Sequence, residues 1–515
     1  MNGEHEDARL SQDRIVVGVV GAGTMGRGIA QLFAEAGHEV RLYDALDGAV
    51  ERGRDFIADL LRRAAEKRRT TLERAEQALA RIRPQTELGG LAGCGVIVEA
   101  VVEDLGVKRE LFRALEQVAG ERAILASNTS SLLVAEIAAA CARPQRVAGL
   151  HFFNPVPLMK VVEVIAAVRT APDTVDALKQ LVEGTGHRAV IAADQPGFLV
   201  NHAGRGLYTE GLRIVEEQAA TPAQVDTLMR EAAGFRMGPF ELLDLTGLDV
   251  SGKVMESIYQ QFHQEPRFRP SSLVPPRIAA GLHGRKNGEG WYRYEGQNRI
   301  EPPATLAAKP LPGGLKVWIS REAEQHQGIT ALASQAGAQM VVDLPQADLI
   351  VLQPWGRDAT GCCVAHGADA SRVVALDPLP GLQRHRTLML SAVTTPAARD
   401  AALALFTADG VAATLIGDSP GFVVQRILAT IVNIAANIAQ RGIAGVADLE
   451  DAVRLGLGYP QGPLALGDAI GPMRVLNILR NMHTLTGDPR YRPSPWLQRR
   501  ATLGVSLLTA EARIV

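Results

Sequence analysis

One stretch constrains the fold more than any other: "RIVVGVVGAGTMGRGIAQLFAEAG", from Arg14 to Gly37. An apolar run, Ile15–Val20, passes straight into Gly21-Ala22-Gly23-Thr24-Met25-Gly26, and a helical pattern closes at Gly37. The three glycines have separate jobs. Gly21 permits the tight turn, Gly23 lets backbone approach a pyrophosphate, and Gly26 lets the helix pack close to the strand. The helix amino terminus then presents free N–H groups to phosphate charge. The next apolar strand, "EVRLYD", ends in Asp44, about twenty residues on, where a carboxylate accepts hydrogen bonds from ribose hydroxyls and repels a 2′-phosphate. The stretch reads as a βαβ unit that binds NAD rather than NADP, with Gly21, Gly23, Thr24, Met25, Gly26 and Asp44 at the cofactor. The plain alternative for Asp44 is a helix cap.

The βα rhythm continues through "GVIVEAVVED" (95–104) with a helix carrying Lys108 and Phe112, "AILASNTSS" (123–131) with a helix from about Leu132, and "RVAGLHFF" (146–153). Between Asp44 and Gly95, apolar positions at helical spacing in a charged stretch predict two antiparallel helices projecting from the sheet. Their locally basic run, Arg62 to Arg69, reads on composition alone as a solvated face.

At 515 residues the chain exceeds one hydrophobic core and should divide into three or four domains. With 47% hydrophobic and 21% charged residues it has an ordinary globular composition, and a net charge of -2 gives no general attraction to nucleic acid or acidic membranes. The first fourteen residues are polar, unlike a secretory signal, and no apolar run is expected to reach the roughly 18 residues that span a bilayer. Four cysteines (Cys94, Cys141, Cys362, Cys363) lack metal-ligand spacing. They read as reduced thiols of a cytoplasmic protein, with no metal.

"GLHFFNPVPLMKVVEVI" (149–165) places His151 at the end of one buried strand and Glu163 inside the next apolar run. Alone, either residue is an ordinary satisfied structural group. Five ordered motifs change that reading. "GAGTMG", "SNTSS", "HFFNPVP", "PGFLVN" and "GRKNGEGWYRY" follow one another between Arg14 and Tyr294. Together they resemble the L-3-hydroxyacyl-CoA dehydrogenases, in which an NAD-binding domain precedes a helical domain and the substrate lies in the cleft between them.

The resemblance implies roles by position. His151 matches the catalytic base and Glu163 the carboxylate that orients it. Ser130 matches the serine that contacts the substrate's 3-oxygen, and Asn201 an asparagine that fixes the reacting group. Glu103, Lys108, Asn128, Asn154 and Lys286 match contacts to NAD, and Lys67 a lysine touching the CoA moiety. For Lys67 an idle surface lysine remains the alternative. The residue types suit the chemistry. Oxidising a secondary alcohol removes a proton from oxygen and a hydride from carbon, and histidine, with an ordinary pKa near ~6.5, takes the proton near neutral pH.

The second half repeats the first. "DQPGFLVN" from Asp194 returns as "DSPGFVVQ" from Asp418, 224 positions later, and "GPFELLDLTG" from Gly238 returns as "GPLALGDAIG" from Gly462. The copy has no GxGxxG in "GLKVWISREAEQHQG", has "VALDP" in place of "GLHFFNP", and has Gln425 in place of Asn201. The expected fold is therefore α/β plus all-α. It comprises a Rossmann-type NAD-binding domain (13–193), a helical domain of the 6-phosphogluconate-dehydrogenase type (194–295), a linker (296–312), a reduced α/β domain without an NAD site (313–417) and a second helical domain (418–515). The second helical domain is expected to stand in for a partner subunit's helices, in a monomer or homodimer.

The implied activity is reversible NAD-dependent oxidation of an L-3-hydroxyacyl-CoA. Similar full-length bacterial enzymes serve aromatic-acid (phenylacetate) degradation and 3-hydroxybutyryl-CoA metabolism. No hydratase-like segment precedes the dehydrogenase, so a multifunctional β-oxidation protein is not expected. The rivals are a β-hydroxyacid dehydrogenase with a non-CoA substrate and a non-catalytic NAD-binding protein.

Overall fold

A computed structural model describes residues 15–296, 298–300 and 309–512. The first fourteen residues and much of the expected 296–312 linker lie outside them. Tertiary contacts gather the chain into two units. One runs to His202 and takes in Arg441–Leu457; the other comprises Ala203–Gln440 and the chain from Gly458 onward.

The first unit is built on eight strands: β1 (Val16–Val20), β2 (Glu39–Tyr43), β3 (Ile82–Gln85), β4 (Val96–Glu99), β5 (Ile124–Ser127), β6 (Val147–Phe152), β7 (Val161–Ala166) and β8 (Arg188–Ala193). Their order is β3-β2-β1-β4-β5-β6-β7-β8. The first six are parallel; β7 runs antiparallel to β6 and parallel to β8. The central strands are buried without alternation, as expected of a parallel sheet covered on both faces. Helix α1 (Thr24–Glu35) follows the glycine turn, and α2 (Ala49–Glu66) and α3 (Leu72–Arg81) form the expected hairpin. The Thr71 hydroxyl accepts from Arg74 N and starts α3.

Two features of this unit are not legible in the sequence. β3, "IRPQ", is too polar to announce itself, yet it lies at the sheet edge, where Pro84 is tolerated. The other comes from far along the chain. The segment holding helix Val446–Gly456 adds to the opposite edge: Ala193 N donates to Ile443 O at 2.7 Å, and Arg188 pairs with Asp448 at 2.7 Å and Asp451 at 2.9 Å.

The second unit joins helices to a smaller sheet. Helix Arg205–Glu216 meets helix Val423–Gln440 so closely that a Cβ on Gly206 would lie 2.9 Å from Ile431 Cα. Beside this crossing, fully buried Arg426 pairs with Glu210 and Glu217, each at 2.7 Å, so its charge is compensated. Val423–Gln440 corrects the expectation about apolar runs. It is long and apolar enough to cross a membrane, but 89% of it is buried inside the protein as a core helix.

A hairpin, β9 (Arg293–Glu295) with β10 (Asn298–Ile300), precedes the sheet strands β11 (Lys316–Ile319), β12 (Gln339–Met340), β13 (Leu349–Leu352), β14 (Val373–Leu376), β15 (Arg386–Leu390) and β16 (Ala413–Ile416). Their order, β12-β11-β13-β14-β15-β16, repeats the larger sheet with two strands fewer. β15 is antiparallel to β14 and parallel to β16, as β7 is to β6 and β8. The repeat extends to single contacts. Asp194 accepts from Val134 N and Ala135 N, and Asp418 accepts from Ala359 N and Thr360 N.

Candidate active site

Every parallel strand from β1 to β6 delivers a sequence-predicted residue to the same carboxyl-terminal edge of the sheet, β3 excepted. Open α/β sheets bind ligands there. After β1, Gly21 adopts a φ of +100°, and a Cβ on Gly26 would lie 1.7 Å from Gly21 O. Strand and helix can approach this closely only through glycine. A Cβ on Gly23 would meet nothing within 4 Å, so its backbone faces open space, as a pyrophosphate cradle requires. Thr24 is exposed at the start of α1, while Met25 packs partly against the core. Asp44 Oδ2 accepts from Ala22 N at 2.7 Å, and Oδ1 accepts from Leu46 N at 2.8 Å. The carboxylate thus stands at the glycine turn. Its position fits the ribose of a dinucleotide lying along that turn.

At the ends of β4 and β5 the polar groups form one network. Glu103 Oε1 accepts from Thr129 Oγ1 at 2.7 Å, Ser130 N at 2.9 Å, Ser131 N at 3.0 Å and Ser131 Oγ at 2.9 Å. Burial raises the Glu103 pKa, but Lys108 and these hydrogen bonds outweigh it and hold the carboxyl below its ordinary value. Lys108 is only 1% exposed; its Nζ lies 2.6 Å from Glu99 and 3.3 Å from Glu103. Lys108 is thus held by two carboxylates inside the protein, and Glu103 is the one of the two that is partly exposed. Asn128 ties the strand ends together: its N donates to Glu99 O, and its Oδ1 accepts from Phe152 N, both at 2.8 Å. Asn154 follows β6, before Pro155.

His151 and Glu163 are directly opposed across the antiparallel pair β6·β7. His151 Nδ1 lies 2.5 Å from Glu163 Oε2, with the carboxylate fully buried. Glu163 Oε1 accepts from Leu199 N at 2.9 Å and Val200 N at 2.7 Å. It therefore caps the short helix Val200–Ala203 that carries Asn201. The rings of Phe153 and Phe198 flank the imidazole, with centroids 4.5 Å and 5.8 Å away. With Nδ1 engaged, Nε2 is the nitrogen that remains for proton transfer. Ser130 lies just beyond β5, beside β6, so the unit gathers Ser130, His151, Glu163 and Asn201 at one end of the sheet.

The outlying predictions are placed differently. Lys67 ends α2, exposed, next to a cavity of about 630 Å³ lined by Arg62, Arg68, Arg69, Thr70, Thr71 and Arg74. The cavity is basic, but Lys67 does not line it. Lys286 belongs to the other unit, where it is ion-paired with Asp249 and holds that carboxyl below its ordinary pKa. Sequence reasoning missed Glu99 and Ser127, both fully buried. The available signal was a carboxylate inside the apolar run "GVIVEAVV", the same anomaly that marked Glu163.

Comparison with known proteins shows the family. The family profile described as "3-hydroxyacyl-CoA dehydrogenase, NAD binding domain" matches residues 16–195. The profile "3-hydroxyacyl-CoA dehydrogenase, C-terminal domain" matches twice, at 197–294 and 421–510, which is the duplication read from the sequence. A 3-hydroxyadipyl-CoA dehydrogenase of Escherichia coli is 36% identical over 95% of this chain and 97% of its own length. A probable 3-hydroxybutyryl-CoA dehydrogenase of Deinococcus radiodurans is 39% identical over 54% of this chain and 99% of its own length. The crystal structure of a 3-hydroxybutyryl-CoA dehydrogenase from Escherichia coli superposes with a TM-score of 0.84 at 35% identity, covering 95% of this chain and 99% of that one. From the glycine turn to the repeated helical domain, this chain belongs to the family of NAD-dependent 3-hydroxyacyl-CoA dehydrogenases.

Proposed function

We propose that His151 is the general base of an L-3-hydroxyacyl-CoA oxidation, oriented by Glu163. The observation that carries this reading is the buried 2.5 Å contact between His151 Nδ1 and Glu163 Oε2, which fixes the ring and leaves Nε2 as the other nitrogen for proton transfer. Bound NAD supplies the acceptor for the hydride leaving C3. Nε2 takes the hydroxyl proton as the C3–O bond becomes a carbonyl, and Glu163 stabilises the imidazolium that results. Ser130 and Asn201 hold the substrate oxygen while its charge changes. In the reverse direction the imidazolium returns its proton to the oxygen. Asp44 selects NAD, and Glu103, Lys108, Asn128 and Asn154 line or support the cofactor. Lys67 and the basic cavity on the α2–α3 hairpin face the anionic CoA.

The second half carries no chemistry in this reading. Its reduced α/β domain (313–417) supports the second helical domain (418–515), as the first α/β domain (13–193) supports the first helical domain (194–295). The long relatives act, by name, on 3-hydroxyadipyl-CoA and 3-hydroxybutyryl-CoA, so the acyl group here is a short chain with or without a terminal carboxylate. The setting is degradative acyl-CoA metabolism in the cytoplasm.

Consumption of NADH with acetoacetyl-CoA tests the activity, and kcat/KM for 3-hydroxybutyryl-CoA against 3-hydroxyadipyl-CoA tests the acyl group. A protein that binds NADH but never oxidises it with any short 3-oxoacyl-CoA would overturn this function.

A further inference from the structure

We propose that Glu99 is a positioning residue for the reaction and acts through Ser130. Its side chain lies at the carboxyl end of β4 and is fully buried. Burying a carboxylate there is costly unless each oxygen is satisfied. Both are. Oε1 accepts from Val101 N at 2.7 Å and Lys108 Nζ at 2.6 Å; Oε2 accepts from Ser127 Oγ at 2.7 Å. An apolar residue would fill this strand end without that cost, so the carboxylate is best explained by what it holds.

Two paths lead from Glu99 to the same loop. Along one, Glu99 anchors the Lys108 ammonium, whose Nζ stands 3.3 Å from Glu103 Oε2. The other carboxylate oxygen of Glu103 then collects the backbone N–H groups of Ser130 and Ser131 at 2.9 Å and 3.0 Å. Along the second, Glu99 holds the Ser127 hydroxyl, which accepts from Thr129 N at 3.2 Å, next to Ser130. The loop carrying Ser130 is therefore pinned from beneath on both sides by one buried carboxylate.

The arrangement also bears on the Ser130 hydroxyl itself. Ser130 Oγ is 3.4 Å from Glu103 Oε1, longer than the other four donors to that oxygen. A Glu103 already saturated by the loop competes weakly for the Ser130 proton, which stays available to a substrate oxygen. Neutralising Glu99 leaves Glu103 as the anionic partner of Lys108, so the ammonium shifts from its anchored place toward Glu103 and the loop held by Glu103 shifts with it. Small displacements of a positioning group are costly to turnover.

This inference rests on the proposal that Ser130 contacts the reacting oxygen, and the test separates the two. In the full-length protein, kcat and KM for acetoacetyl-CoA, NADH affinity by fluorescence and Tm are measured for Glu99→Gln, Ser130→Ala and the double variant. Each single variant is expected to lower kcat by roughly tenfold, with NADH affinity moving less than kcat. The double variant is expected to lose no more than Ser130→Ala does, because Glu99 acts through that residue. A purely structural role would lower Tm without this non-additivity. Should Glu99→Gln fail to fold, Glu99→Gln combined with Lys108→Met removes both buried charges, and the same cycle with Ser130→Ala applies. Multiplying losses, or wild-type kcat in Glu99→Gln, overturns the proposal while leaving Ser130's own role standing. Wild-type kcat in Ser130→Ala overturns both.

Discussion

In the second half of the chain, Gln425 Nε2 donates a 2.8 Å hydrogen bond to Asp377 Oδ1. These two residues stand where the first half has Asn201 and His151. Asp377 N donates to Thr387 O at 3.0 Å, which puts Thr387 across from Asp377 as Glu163 lies across from His151. The second half keeps the strand geometry found around His151 and Glu163 but carries different side chains there. Asp377 is 2% exposed, and burial pushes its carboxyl pKa up to about 7, against which hydrogen bonds from Leu379 N and Gln425 act only partly.

Asp377 should make stability fall as pH rises. Its pKa goes up from 3.8 in the unfolded chain to about 7 in the folded one, so the folded state holds the proton more tightly. The stabilisation is complete below the unfolded value and is lost as pH rises through that window, at up to about 1.4 kcal/mol per pH unit. Urea titrations between pH 4 and 8 should show this slope in the wild type and a flatter profile in Asp377→Asn. An equal slope in both would show that Asp377 is ionised throughout.

His151→Ala should lower kcat by about 10²–10⁴-fold while NADH affinity stays near wild type, because the imidazole serves proton transfer alone. Glu163→Gln should lower kcat by less. It should also reduce Tm, since the same carboxylate receives Leu199 N and Val200 N. Steady-state kinetics with thermal melts check both, and wild-type kcat in His151→Ala would refute the mechanism.

Two alanine substitutions in the glycine turn should fail in different ways. Gly26→Ala drives a methyl to 1.7 Å from Gly21 O, so the strand–helix contact must open and Tm falls. Gly23→Ala meets no protein atom within 4 Å, so the fold should survive while NADH affinity drops by roughly tenfold or more, about 1.4 kcal/mol per decade. Calorimetry beside NADH titration distinguishes these outcomes. Intact NADH binding in Gly23→Ala would place the pyrophosphate elsewhere.

Asp44 should enforce NAD over NADP. A 2′-phosphate beside this carboxylate is repelled, and Arg41, the nearby cation, is already engaged with Gly90 O and Ala92 O. The ratio of kcat/KM values for NAD and NADP should fall in Asp44→Ser. Comparable wild-type values for both cofactors would show that the carboxylate serves only the Ala22 and Leu46 amides.

Titration with NADH should saturate at one equivalent per chain. After β11, where a glycine turn would be needed, Gln325 and Gln353 bond each other: Gln325 N donates to Gln353 Oε1 at 2.9 Å, and Gln353 Nε2 donates to Gln325 Oε1 at 2.7 Å. Side chains rather than open backbone meet the amino terminus of the following helix. Two equivalents of NADH would disprove this reading of the second half.

The sequence by itself determined the parts whose causes are local. The turn from Gly21 to Gly26 needs glycine for steric reasons that any neighbouring chain would leave unchanged, and unbroken apolar runs announce strands covered on both faces. His151 and Glu163, polar residues in apolar runs, gained a role only through the five ordered motifs around them, and the repeat was visible as repeated words. What the tertiary structure decided depends on residues brought together from far apart. Only the register of β6 against β7 sets His151 opposite Glu163, and only the fold shows one carboxylate serving both His151 and the helix of Asn201. Glu99 and Ser127 gain meaning from strands that are adjacent in space, not in sequence. The docking of Val446–Gly456 on β8 joins residues some 260 positions apart through Arg188, Asp448 and Asp451. No periodicity encodes such a contact, because its energy comes from surfaces that exist only after both halves have folded.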